Sequence, residues 1–213
     1  MTITLGAGLC RWGSALALLT LTGCSSAMFT KIDYSHLFDR KSWSHTDRVI
    51  EDLQIKEGDR VADLGAGDGY FSYFFSEVVG EKGQVLAVDI DEEALVNITD
   101  TAKEKGFHNI STIQAAQDDP LLNRSDIDLV FLSNTYHHIE NRVGYFNNIK
   151  KYLNDGARVA VLDTREGTPW FIIPHGIHAE QIRSEMKEAG YIHIESHDYL
   201  PFNNFEIFLL SKS

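Results

Sequence analysis

Beyond Cys24 the chain has no cysteine: its two, Cys10 and Cys24, both fall early in its 213 residues. The body of the protein therefore offers no thiol for a disulfide, a zinc knuckle or a cysteine nucleophile. Positive charge is also scarce, with 19 Lys and Arg against 31 Asp and Glu and a formal net charge of -12. A chain of that sign repels a phosphate backbone, and no Lys/Arg-rich run offsets it, so the sequence points away from nucleic acid as a partner. Internal repeats and low-complexity linkers are absent too. What is present, 43% hydrophobic and 11% aromatic residues, suffices to bury one core, and a single domain is expected.

The N-terminal stretch from Gly13 to Gly23, GSALALLTLTG, is apolar, follows Arg11 and ends in Leu21-Thr22-Gly23-Cys24. It is too short to span a bilayer but suits the apolar region of a signal peptide. Its ending resembles a bacterial lipobox. That resemblance implies removal of residues 1–23 and lipidation of Cys24, giving a membrane-anchored lipoprotein of the cell envelope. The alternative is a start at Met28 and a cytoplasmic protein. Residues 24–43 read as a linker or lid, and residues 44–213 as the domain.

Strand and helix signals alternate through that domain. Val49, Ile50 and Leu53 at helical spacing predict a lid helix over 47–53, before a short apolar strand over 60–64. Phe71, Phe74, Phe75 and Val78 then mark one stripe of a helix that Gly80 ends. The pattern goes on with strands at 85–89, 109–115, 127–132 and 157–162. Helices are read over 92–105 and 141–153, the second stopped by Asn154-Asp155-Gly156. A last helix over 178–189 precedes strands over 191–196 and 205–210, whose short connection predicts antiparallel pairing. The fold class expected is α/β: a Rossmann-like, doubly wound, mostly parallel seven-stranded sheet with an antiparallel last strand and an N-terminal lid helix.

The chemistry centres on Asp63-Leu64-Gly65-Ala66-Gly67-Asp68-Gly69, between a strand and a helix. Glycines there allow a sharp turn and close approach of a ligand, and the helix N-terminus adds partial positive charge. The third glycine of a dinucleotide fingerprint is replaced by Tyr70, which disfavours NAD. Asp89 closes the next apolar run, where a carboxylate accepts from ribose hydroxyls.

VADLGAGDGYFS followed by VLAVDID, and then DLVFLSNTYHHI, resembles the class I S-adenosylmethionine-dependent methyltransferases over about residues 44 to 211. The resemblance implies that Asp63, Gly65, Gly67 and Gly69 hold the methionine part of S-adenosylmethionine and Asp89 its ribose. It further implies that Ile90 packs on the adenine, that Asp118 accepts from the adenine amine, and that Ser133 and Asn134 border the sulfonium. The Asn-Pro-Pro-Tyr motif of enzymes that methylate bases is absent, since the matching place reads Ser133-Asn134-Thr135-Tyr136.

His137 and His138 follow the fourth strand, and His175 and His178 precede the last helix, all near the strand ends where ligands bind in open α/β sheets. An oxygen or nitrogen acceptor must lose a proton during methyl transfer, which suits a neutral imidazole. His137 and His138 are the candidate bases, and Tyr136, His175 and His178 the candidate acceptor-side residues. Structural packing and hydrogen bonding to substrate remain open alternatives for each histidine. A metal site from His137, His175, His178 and Asp163 can be drawn, but no metal is assigned. The expected partner is a small-molecule or lipid-like acceptor. A non-catalytic envelope lipoprotein that keeps the fold, and an NAD-linked oxidoreductase, are the competing readings.

Overall fold

The computed structural model describes residues 45–168 and 175–210. The leader, Cys24 and the linker or lid over 24–43 lie outside those residues.

The order is α1 (Thr46–Asp52), β1 (Arg60–Leu64), α2 (Tyr70–Val79), β2 (Gln84–Asp89), α3 (Glu92–Lys105), β3 (Ile110–Gln114) and β4 (Ile127–Ser133). Then follow α4 (Arg142–Ile149), β5 (Leu153–Thr164), α5 (Ala179–Glu188), β6 (Tyr191–His197) and β7 (Asn203–Leu210). The seven strands form one sheet in the order β3-β2-β1-β4-β5-β7-β6. All run parallel except β7, which is antiparallel to both β5 and β6. Strand order reverses between β1 and β4, which places a crevice at their C-terminal ends.

Helices cover both faces, so the central strands bury apolar side chains on each: Val61, Ala62, Val85, Leu129, Phe131, Val159 and Val161 are fully buried. On one face α1 and α2 pack Val49, Leu53, Phe71 and Phe75 against Phe131, Phe205 and Ile207. On the other, Phe146, Ile149, Ile182 and Met186 of α4 and α5 cover Val130, Val159, Val161 and Phe208. Each such side chain contributes roughly 1.5–3 kcal/mol by leaving water. The expected lid helix is thus built into the core, and Arg158 donates to the carbonyl of Leu53 at its end.

Local signals set several boundaries. The carboxylate of Asp91 caps α3 by accepting from the Glu93 N–H at 2.9 Å, Glu92 and Glu93 occupy the first turn, and Gly106 ends the helix at φ +78°. The inward stripe of α2 is Phe71, Ser72, Phe75, Ser76 and Val79, rotated from the apolar stripe read in the sequence. Two serines face inward because each has a partner: Ser72 donates to Asp63 and Ser76 to Asn109. The helix α4 ends at Ile149, earlier than expected, followed by a single 3-10 turn over Lys150–Tyr152. β5 begins at Leu153 and takes in Asn154-Asp155-Gly156, which the sequence pattern marks as a stop. A register shift against β4 between Ile127 and Leu129 absorbs them, and Asn154 donates to the Asp126 carbonyl and the Asp128 carboxylate.

Candidate cofactor and acceptor site

The loop between β1 and α2 carries Gly65, Gly67 and Gly69 at φ of +73°, +55° and +75°, backbone that L side chains rarely adopt. A β-carbon on Gly65 would overlap Thr135, whereas one on Gly67 would meet no protein atom within 4 Å. The first glycine therefore serves close packing, and the second faces open space. Asp89, at the end of β2, accepts the Gly67 N–H at 2.8 Å through Oδ2 and the Asp91 N–H at 3.0 Å through Oδ1. Each oxygen keeps lone-pair capacity for a further donor. Ile90 follows at 61% exposure, a large apolar side chain left uncovered beside that carboxylate.

Asp63 lies under this loop, buried, with its Oδ2 accepting from Ser72 Oγ at 2.6 Å. Burial, together with the nearby Asp89 and Asp68 carboxylates, pushes its pKa up to about 7 against the opposing Ser72 hydrogen bond. Ser72 was not singled out from the sequence; its signal was a hydroxyl on the inner side of an aromatic helix.

Past β3, Asp118 is exposed, and its backbone carbonyl accepts from Asn148 at 3.4 Å. Its neighbour Asp119 is the anchored one, accepting from Lys151, Tyr152 and the Leu121 N–H. Those donors hold the Asp119 carboxyl well below its ordinary range against the effect of burial.

At the end of β4, Ser133 is half-buried and Asn134 is exposed at φ +52°. The Asn134 Oδ1 accepts from Thr164 Oγ1 at 2.9 Å and its N–H donates to the Leu162 carbonyl at 2.8 Å. Tyr136 departs from its expected acceptor-side place. Its ring is fully buried against Phe146, and its hydroxyl donates to Glu185 at 2.9 Å. Burial and the Glu185 charge raise its pKa, so it is a core group.

His137 donates its backbone N–H to Asp163 Oδ2 at 3.1 Å, and its Nδ1 lies 2.6 Å from Oδ1 of the same carboxylate. The His138 ring packs on it at 3.9 Å between centroids. Burial, then His137 and to a lesser degree His175, lower the His138 pKa against the opposing Asp163 carboxylate. His178 stands apart. It pairs with Glu166 at 2.9 Å and lines a cleft of about 410 Å³ with Arg165, Arg183, Ser196 and Glu206. His193, Ser196 and Arg183 all bond the buried Glu206 there. Among the described residues no three His, Cys, Asp or Glu side chains converge as metal ligands.

A mostly parallel sheet whose first strand runs into a glycine loop, with a carboxylate at the end of the adjacent strand and an uncovered apolar side chain beside it, is a geometry suited to a nucleoside. The methyltransferase domain family matches residues 55–206, and the chain belongs to that family. Its fold is that of S-adenosylmethionine-dependent methyltransferases. A methyltransferase of this kind from Aquifex aeolicus superposes with a TM-score of 0.73 at 20% identity, over 83% of this chain and 96% of that one. Among curated relatives, the ubiquinone/menaquinone biosynthesis C-methyltransferase UbiE of Haemophilus ducreyi is 30% identical over 116 residues, 54% of this chain and 45% of its own length. Protein-L-isoaspartate O-methyltransferase of Methanococcus aeolicus is 34% identical over 65 residues, 30% of each chain. The chain thus spans about a third to a half of the length of the curated relatives it matches.

Proposed function

We propose that the protein transfers a methyl group from S-adenosylmethionine to a small-molecule or lipid-like acceptor. The observation that carries this reading is the Asp89 carboxylate bound to the Gly67 N–H with Ile90 exposed behind it. The residues present fit the cofactor: Asp89 to accept from the ribose hydroxyls, Ile90 to cover one adenine face, Asp118 for the adenine amine, and the open side of Gly67 for the methionine part. Bound there, S-adenosylmethionine supplies an electrophilic methyl group on a sulfonium. Ser133 and Asn134 would border it, and Asp63 would support the loop from below.

A small acceptor is supported by the lack of a separate substrate domain among the described elements. The relatives' names span quinone, protein and ribosomal RNA acceptors, so they do not favour one class. Attachment through Cys24 is a further part of the proposal, and it would bring the site near envelope lipids.

Isothermal calorimetry on the full-length protein tests the cofactor. We expect micromolar binding of S-adenosylmethionine and S-adenosylhomocysteine, weakened by about 1–3 kcal/mol in Asp89→Ala, the cost of donors left without a charged acceptor. No heat with either ligand, alongside binding of NAD, would replace this reading by an oxidoreductase.

A further inference from the structure

We infer that His137 is the base that takes the proton of a neutral hydroxyl acceptor, with Asp163 as its positioning residue. This rests on the methyltransferase reading above and adds the acceptor's chemistry to it.

Asp163 lies near the C-terminal end of β5 with no exposed surface. Its carboxylate takes three donors: the Thr164 N–H at 2.7 Å and His137 Nδ1 at 2.6 Å on Oδ1, and the His137 N–H at 3.1 Å on Oδ2. A carboxylate only accepts, so Nδ1 carries the hydrogen and the neutral imidazole presents Nε2 as a lone pair. Backbone and ring of one residue are held by one carboxylate, which fixes the ring's direction. The side chain keeps 12% of its surface open, and among the described residues nothing hydrogen-bonds Nε2. His138 is more exposed and has no carboxylate partner, so its ring lacks that orientation. Two residues before His137, Thr135 packs on Gly65 of the glycine loop. The pair therefore joins the turn after β4 to the end of β5, two residues on from the contact with the glycine loop.

The presence of an oriented base narrows the acceptor. A carboxylate or thiolate arrives already ionised and needs none. An ammonium would bring a second positive charge beside the sulfonium. A neutral hydroxyl, phenolic or enolic, needs a proton acceptor as it becomes the nucleophile. In the transfer, the hydroxyl oxygen bonds the methyl carbon while the carbon–sulfur bond breaks with its electron pair left on sulfur. The hydroxyl proton passes to Nε2 and from there to water.

Full-length wild type, His137→Ala and Asp163→Asn can be assayed with S-adenosylmethionine and a series of phenols, from unsubstituted phenol to nitrophenols that ionise unaided. Wild type should methylate the weakly acidic phenols. His137→Ala should lower kcat on those by about a hundredfold or more, change KM little, and lose far less on the nitrophenols. Asp163→Asn should show the same selectivity. Nitrogen-15 NMR of labelled histidine gives a readout without turnover: hydrogen on Nδ1 of His137 in wild type, and loss of that single tautomer in Asp163→Asn. Equal losses on all phenols, no loss, or an unchanged tautomer would overturn the assignment. So would a wild type that binds cofactor but methylates no phenol. A wild type that binds no cofactor removes the underlying reading as well.

Discussion

The side chain of Thr135, just past β4, lies against the α-carbon of Gly65, so that a β-carbon there would overlap its hydroxyl and methyl groups. The loops after β1 and β4 are thereby locked at the switch point, and Thr135 is itself held by a 3.0 Å hydrogen bond to the Ser133 carbonyl. Gly65→Ala should cost about 2–4 kcal/mol, combining overpacking with left-handed backbone strain. Gly67→Ala should cost only about 1–2 kcal/mol from strain, since its β-carbon enters open space, yet it should lower affinity for S-adenosylmethionine. Urea unfolding and calorimetry on the two variants separate these effects. Equal stability losses would show that the loops are not locked.

Asp63 provides a pH test. Its folded pKa, about 7, lies above its unfolded value of 3.8 because burial disfavours the charge. The folded state therefore binds the extra proton, and the stabilisation is complete below the unfolded value and lost as pH rises through about 7. In Asp63→Asn this dependence should vanish, so wild type should lose stability relative to the variant between about pH 4 and 7. Parallel denaturation curves across that window would mean that Asp63 does not titrate there.

Glu185 joins α5 to α4 and to the turn after β4. It accepts from Arg142 Nε at 2.7 Å, Arg142 Nη2 at 3.0 Å and the Tyr136 hydroxyl at 2.9 Å. Glu185→Ala should destabilise by roughly 1–3 kcal/mol, leaving a half-buried guanidinium and a buried phenol short of an acceptor. Tyr136→Phe should cost about 1 kcal/mol, with cofactor affinity unchanged. A rise in acceptor KM alone, with stability intact, would return Tyr136 to the acceptor side.

In a bacterium that processes lipoproteins, the full-length protein should fractionate with membranes and incorporate labelled palmitate at Cys24. Cys24→Ser should release it or leave an uncleaved precursor. Stable anchoring needs more than one acyl chain, which a lipidated N-terminal cysteine carries. Identical soluble fractions for both proteins, without label, would discard the envelope location.

The elements that were legible in the sequence are those whose limits are set by adjacent residues. β1 and α3 fall where the pattern places them, because Asp91 and Gly106 cap one and turn residues bound the other. The end of α4 and the start of β5 were hidden, because a register shift against a distant strand decides whether Asn154-Asp155-Gly156 turns or pairs. The site divides in the same way. The glycine loop, Asp63 and Asp89 lie within one strand-loop-helix-strand unit and announce themselves by spacing. The pairing of Asp163 with His137 crosses 26 positions, and composition does not show which of several polar groups a folded strand end will meet. Tyr136 follows the end of β4, where acceptor-side residues are expected, but the 3-10 turn buries its ring against Phe146.

β7 is the last of the described strands in chain order, yet it lies inside the sheet, hydrogen-bonded to β5 on one side and β6 on the other. During synthesis β1 to β6 are therefore delivered before the strand that pairs β6 with β5. Until then β5 carries an open edge and Phe205, Ile207 and Phe208 are missing from both core faces. Completion of the sheet therefore waits for β7, and before β7 pairs, an extended segment of another chain has a place to bind at β5.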